Sequence, residues 1–239
     1  DFAIGTRLIT VLRKQMEKVK LLKIIAISSI IFLSLASHVK AEIGQVAEFE
    51  GKVQIRTAKA EKISVVVGSP INFGDMLKVR KKSIVHIGLV DESKFQIGQK
   101  TTVVFDDFLF DEKNQKLTAR ILDGVLTYDG EKMSVNSERK FLSNKYTLTV
   151  RGTKFGGKFG QKSEVVLLKG SISVDGNGQS QTASGPFKKL TFDASGIEPP
   201  VKITFDEAEK FFSDLGFDFE KLIGPNFREM INSGATAVN

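Results

Sequence analysis

Between residues 42 and 203, short β-branched and aromatic runs follow one another with no helical period, each closed by Gly, Asp, Asn or Ser. Val53 and Ile55 alternate with Gln54 and Arg56. Residues 83–90 and 94–97 flank an Asp91-Glu92-Ser93 turn, and 101–110, 117–122, 125–128, 146–150, 165–168 and 172–174 repeat the pattern. Alternation with period two sends one set of side chains inward and the other to water, and turns at this spacing make hairpins. The pattern predicts an all-β fold, an antiparallel β-sandwich or roll of short strands, and argues against a βαβ sheet. A weak repeat runs through it. Glu50-Gly51-Lys52-Val53, Asp123-Gly124-Val125-Leu126 and Lys169-Gly170-Ser171-Ile172 each place a glycine at a strand entry, where a turn or bulge resists side chains.

The character changes after Pro199-Pro200, and residues 204–239 read as a short α-helical C-terminal appendage. Thr204-Phe205-Asp206-Glu207 is a capping box, in which the threonine oxygen takes a backbone N–H and Glu207 reaches back. Phe205, Ala208, Phe211, Phe212 and Leu215 share one helical face, and Gly216 stops the helix. Residues 218–223 suit a shorter turn. Gly224-Pro225 breaks it, and Phe227, Met230 and Ile231 mark a last helix before an end, 233–239, expected to be disordered. The appendage is expected to cover one end or edge of the β-domain; docking of a partner is the alternative.

Residues 16–41 have the three parts of a secretory signal. Lys18, Lys20 and Lys23 precede an apolar run, and Val39 and Ala41 stand where a signal peptidase reads small side chains. The run is about fourteen residues long, short of the roughly twenty needed to cross a bilayer as a helix. Cleavage after Ala41 is expected, with an uncleaved anchor as the alternative. Residues 1–15 precede a candidate initiator, Met16, and are expected to lie upstream of the mature protein.

The leader also changes how the charge is read. Seven of the 35 basic and two of the 28 acidic residues precede Glu42, which leaves 28 against 26 and a formal charge of only +2 beyond it. That balance speaks against a nucleic-acid partner, which needs a basic face on the folded part. The chain has no cysteine, which removes thiolate metal sites, thiol nucleophiles and lipobox acylation.

No constellation points to catalysis. His86 is the one histidine beyond the leader and reads as an ordinary strand residue. Gly152-Thr153-Lys154-Phe155-Gly156-Gly157-Lys158 has the glycine and lysine spacing of a phosphate loop. The next residue, Phe159, lacks the hydroxyl that would bind magnesium, and the flanks read as strands, so a glycine-rich hairpin is expected instead. Asp106, Asp107, Asp111 and Glu112 could offer oxygens to calcium, but their spacing matches no calcium loop. The 19 phenylalanines against two tyrosines and no tryptophan suit a core better than a sugar or base platform.

Taken in order, these segments resemble the FecR family. Tyr146-Thr147-Leu148-Thr149-Val150-Arg151-Gly152-Thr153-Lys154-Phe155 is similar to the family's Val-Arg-Gly-Thr-Glu/Lys-Phe signature. Phe49 to Val53 resembles its opening strand, and Gly68, Gly74-Asp75 and Leu77 resemble its Gly…Gly-Asp element. Residues 83–97 resemble its hairpin, with Asp-Glu-Ser where the family has Asp-Gly-Ser. Residues 122–128 and 168–174, which hold Gly124 and Gly170, resemble its later strands, so the likeness covers roughly 45–174. The resemblance implies a non-enzymatic, all-β, extracytoplasmic domain. The name-giving proteins are inner-membrane regulators that relay the occupancy of an outer-membrane receptor to a cytoplasmic sigma factor. Here the apolar segment has no cytoplasmic domain ahead of it and the helical tail is short, so an exported FecR-like protein is expected rather than the transmembrane relay.

The residues read for themselves support a structural signature. Gly152 lets the chain turn tightly, Thr153 bonds the backbone in the turn and Phe155 anchors the next segment in the core. Arg151, Gly152, Thr153, Phe155, Gly74, Asp75 and Gly170 are thus the candidate structural or interaction residues, with no catalytic, cofactor or metal site expected. The expected layout is 1–15 upstream, 16–41 signal, 42–203 β-domain and 204–239 tail. The expected function is that of a periplasmic or extracellular interaction, signalling or envelope component. Its partner is an unknown protein or envelope component, not nucleic acid, and membrane only if the leader stays. A periplasmic carbohydrate-binding or processing protein on a β-scaffold is the alternative.

Overall fold

The computed structural model describes residues 42–110, 115–130 and 137–224. They form sixteen strands in one hydrogen-bonded system, followed by two short helices. The strands are β1 (Glu42–Glu50), β2 (Val53–Arg56), β3 (Lys62–Ser64), β4 (Pro70–Asn72), β5 (Met76–Val79), β6 (Ile84–Leu89), β7 (Lys94–Ile97) and β8 (Thr101–Phe110). Then come β9 (Gln115–Asp129), β10 (Ser137–Ser143), β11 (Tyr146–Phe159), β12 (Lys162–Gly176), β13 (Gln179–Ser184), β14 (Lys188–Asp193), β15 (Gly196–Ile197) and β16 (Val201–Lys202). The helices are α1 (Phe205–Asp214) and α2 (Phe219–Ile223).

The expected all-β sandwich is present, but three of its strands are not short. β9, β11 and β12 run for 15, 14 and 15 residues, and each takes different partners along its length. The first half of β9 lies between β8 and β10, and its second half lies between β7 and β11. The first half of β11 pairs β10 and the second pairs β9. β12 pairs β14 with its first half and β13 with its second. The pairings therefore resolve into two sheets. One runs β3-β2-β5-β8-β9-β10-β11-β12-β13, the other β4-β1-β6-β7-β9-β11-β12-β14, and the three long strands belong to both.

One pair, β9 with β10, is parallel, against the antiparallel expectation. A parallel neighbour needs a crossover. Here β9 supplies it, because its second half leaves for the other sheet before the chain returns to begin β10.

Between the sheets lies one core, built mainly by alternation. In one sheet Leu117, Arg139, Val150 and Ile172 align across four strands, and Phe105, Ala119, Phe141, Leu148 and Val174 form the next inward row. In the other, Ile87, Phe95, Tyr128, Phe155 and Leu167 make a row that faces them. Aromatic rings close the gap between the sheets: Phe95 meets Phe105 edge-on at 5.8 Å, and Tyr128 and Phe155 meet Phe141 at 4.9 and 5.1 Å. Such contacts add about 0.5–1.5 kcal/mol each beyond the area they bury.

The helices do not cap an end or edge as expected. They cover the outer face of the second sheet, where Phe212, Ala208, Phe217, Phe219 and Leu222 pack on Val166, Leu168 and Phe187. This explains the unbroken run Val165-Val166-Leu167-Leu168, all four buried, because alternate residues face the sandwich core and the helices. The capping box forms as predicted: the Thr204 hydroxyl accepts from Glu207 N–H at 3.2 Å, and Glu207 accepts from Thr204 N–H at 2.7 Å. The bonds it accepts from Thr204, the backbone N–H first and the hydroxyl second, hold the Glu207 carboxyl below its usual range. The leader 16–41, the segment 1–15 and the last expected helix lie outside the described residues. Among the described residues no helix is long and apolar enough to cross a membrane.

Candidate functional site

The motif residues gather where the chain passes from one sheet to the other. β11 changes sheets at Gly152, whose φ is +52°, and β12 changes back beside it at Gly170, whose φ is +84°. A side chain on Gly170 would strike the Gly152 carbonyl and come within 2.9 Å of that of Arg151, so the two strands meet here with no room for a Cβ. The register of β11 against β12 shifts at the same place.

Bending both strands leaves main-chain groups without ladder partners, and Thr153, fully buried, serves them. Its hydroxyl accepts from Arg151 N–H at 3.0 Å and faces the carbonyls of Arg151 and Ser171, both at 2.8 Å. Phe155 then points into the core. The stretch is a cornered strand that runs on to Phe159, not the glycine-rich hairpin expected from sequence, because the chain turns back only after Gly160. No helix begins here, so a phosphate-loop geometry is absent from these residues.

The same device recurs at the other repeat glycines. Gly124 bends β9 beside Thr101, which accepts from Val125 N–H at 2.8 Å. Gly51 links β1 to β2 beside Ser83, which accepts from Lys52 N–H at 2.8 Å. Gly74-Asp75 carries the chain from β4 to β5. The buried Asp75 carboxylate accepts from Asn72 N–H at 2.9 Å and Ala58 N–H at 3.3 Å, and Gly74 N–H donates to the Phe105 carbonyl at 2.8 Å.

Arg151 is the exception among the motif residues. It is exposed on the outer face of the first sheet, opposite Ser171, while Thr153, Phe155 and Asp75 are buried and Gly74, Gly152 and Gly170 are half-buried.

A buried ion pair escaped the sequence reading. Arg139 on β10 and Asp91 in the β6–β7 turn both have side chains with no exposure, and Nη2 meets Oδ2 at 2.5 Å. The other Asp91 oxygen accepts from the Ser93 backbone at 3.0 Å and its hydroxyl at 2.6 Å, so the turn residue ties one sheet to the other. Arg139 also donates to the Glu138 carbonyl at 3.1 Å, while its Nε has no partner among the described residues. Burial pushes the nearby Tyr128 hydroxyl up to about 12, with Arg139 pulling it down and Asp91 up. The alternation Ser137, Arg139, Phe141, Ser143 carried the signal, since it sets the arginine in phase with a core phenylalanine.

The other sequence candidates are dispersed. His86 is half-buried in β6, between Glu48 and Gln96 on its neighbours. Asp106 pairs with Arg120 and Asp107 with Lys116, while Asp111 and Glu112 lie outside the described residues. The carboxylate of Asp107 raises the Lys116 amine and that of Asp106 raises the Arg120 guanidinium. Among the described residues no three metal-ligating side chains converge.

A comparison with the curated proteins finds no match. Two crystal structures of a candidate anti-sigma factor from Parabacteroides distasonis, at 2.50 and 1.65 Å, align at 12% identity with TM-scores of 0.48 and 0.47. Each alignment covers 57% of this chain, and the chain spans 63% and 64% of theirs, less than two thirds. The model of the FecR protein family matches residues 75–173, from Asp75 at the β4–β5 crossing to just past Gly170 at the β12 crossing. The stretch that builds most of these corners, residues 75–173, is thus the stretch that matches the FecR protein family.

Proposed function

We propose that this chain is an exported, non-enzymatic FecR-type protein that acts by binding another protein in a signalling or envelope role. The observation that carries the reading is the family match over 75–173, which supports a regulatory role. The leader pattern of 16–41 supports export to the periplasm or cell surface. The geometry of the signature is consistent with a scaffold: its buried members hold the corners and leave Arg151 outside. Both tyrosines, Tyr128 and Tyr146, are buried, which leaves no tyrosine platform for a sugar.

Two measurements test this. Mass spectrometry of the protein from its native host should find Glu42 as the mature N-terminus. Crosslinking in the envelope followed by pull-down should capture a stoichiometric partner. A retained leader would turn the reading toward a membrane-tethered regulator, and repeated recovery of a bare monomer would count against the interaction role.

A further inference from the structure

A cleft of about 1100 Å³ opens where the first and second sheets part, between the β1–β2 crossing, β3 and the β5–β6 crossing. Five cations line it: Lys52, Lys62, Arg80, Lys81 and Lys82. Among the described residues no carboxylate does; Glu50 lines a smaller adjoining hollow with Lys82. None of the five forms an ion pair among the described residues, and only Arg80 has a side-chain partner there, the Gln54 oxygen at 2.9 Å. Beyond Glu42 the charges nearly balance, so this is a local concentration of one sign, which low-dielectric walls focus into the cleft.

The cleft also has apolar wall and an open sheet edge. Phe49, Ile63 and Val65 line it, and Ile63 is 39% exposed. β3 ends its sheet, paired only with β2 among the described residues, and the bonds of β1 to the stretch 68–72 end at Val46. An unpaired edge offers main-chain donors and acceptors to an added strand.

We propose that this cleft binds an extended acidic segment of a partner protein, added at the edge of β3, with its carboxylates against the five cations and its apolar side chains against Phe49, Ile63 and Val65. The inference rests on the reading of the chain as an interaction protein and names the chemistry of the partner. The cations come from three separate stretches, the β1–β2 crossing, β3 and the β5–β6 crossing, which suits a row of separate carboxylates better than a single phosphate group. Period-two alternation of acid and apolar residues in the partner would match both linings at once.

The test uses the full chain and a fluorescent, end-capped eight-residue peptide of alternating Glu and Val, followed by anisotropy at low salt. Binding should saturate, weaken at least about tenfold in the Lys81→Glu, Lys82→Glu double variant, and fade as salt is added. The peptide with Lys in place of Glu should not bind, and N-methylation at alternate residues should abolish binding by removing strand donors. Both lysines are exposed, and equal melting temperatures would show that the variant is folded. Unchanged affinity in the variant, unchanged binding of the N-methylated peptide, or tighter binding of a single-stranded DNA oligonucleotide would overturn the proposal. A cellular partner captured equally by the chain and the variant would leave the interaction reading standing and remove the cleft from it.

Discussion

Gly152 and Gly170 lie back to back at one corner of the sandwich, the carbonyl of the first occupying the place of a Cβ on the second. Both have positive φ, so each would be strained by any side chain, but only Gly170 also meets backbone. Replacing Gly170 by Ala is expected to destabilise the protein by at least about 2 kcal/mol in urea unfolding, since the left-handed cost of roughly 1–2 kcal/mol is joined by a clash. Gly178→Ala is the control, with a φ of +72° but open space around it, and should cost only the backbone part.

Thr153 completes that corner through its hydroxyl alone. Thr153→Val keeps the shape and removes the bonds to Arg151 N–H and the facing carbonyls. Burying those groups unpaired should cost about 1–3 kcal/mol, while Thr153→Ser should lose much less. Chemical denaturation of the two variants in parallel distinguishes the hydrogen bond from the methyl group.

The Arg139–Asp91 pair should behave as a unit. Arg139→Met or Asp91→Leu alone strands a charge in the core and is expected to cost roughly 3–5 kcal/mol. The double variant should be less damaged than the sum of the two, because neither charge is then left alone. A double-mutant cycle in guanidinium checks this, and strict additivity would show that the pair is not coupled.

Tyr128 predicts an alkaline limit to stability. In the unfolded chain it ionises near about 10, whereas in the fold its hydroxyl is pushed up to about 12. Its contribution is complete below about pH 10. Between about 10 and 12 the unfolded state has lost a proton that the folded state still holds, so stability falls as pH rises, by up to roughly 2–3 kcal/mol. In a Tyr146→Phe background Tyr128 is the sole tyrosine, and tyrosinate absorbance should show it ionising only near pH 12 or together with unfolding.

The strands were legible because their signal is local. Val53 with Ile55, or Leu148 with Val150, shows by alternation alone which side faces a core. The capping box of Thr204 and Glu207 was legible for the same reason, since it needs residues only three apart. Arg139 was not, although its phase with Phe141 was visible, because nothing local says that Asp91, far away in sequence, waits across the core. The basic cleft was hidden by a balanced total: Lys52, Lys62 and the run 80–82 come together only when two crossings and a hairpin are folded.

By itself, then, the sequence determined the β class, the hairpins, the helix start at Thr204 and the glycines at strand entries, since each follows from neighbours within a few residues. Only the tertiary structure decided that those glycines are corners where β9, β11 and β12 change sheets, that β10 runs parallel to β9, and that the helices cover a face rather than an edge. The physical reason is that period-two alternation tells inside from outside but not which sheet a residue is inside of. A long strand with a glycine in its middle reads as two short ones until its two halves find different partners.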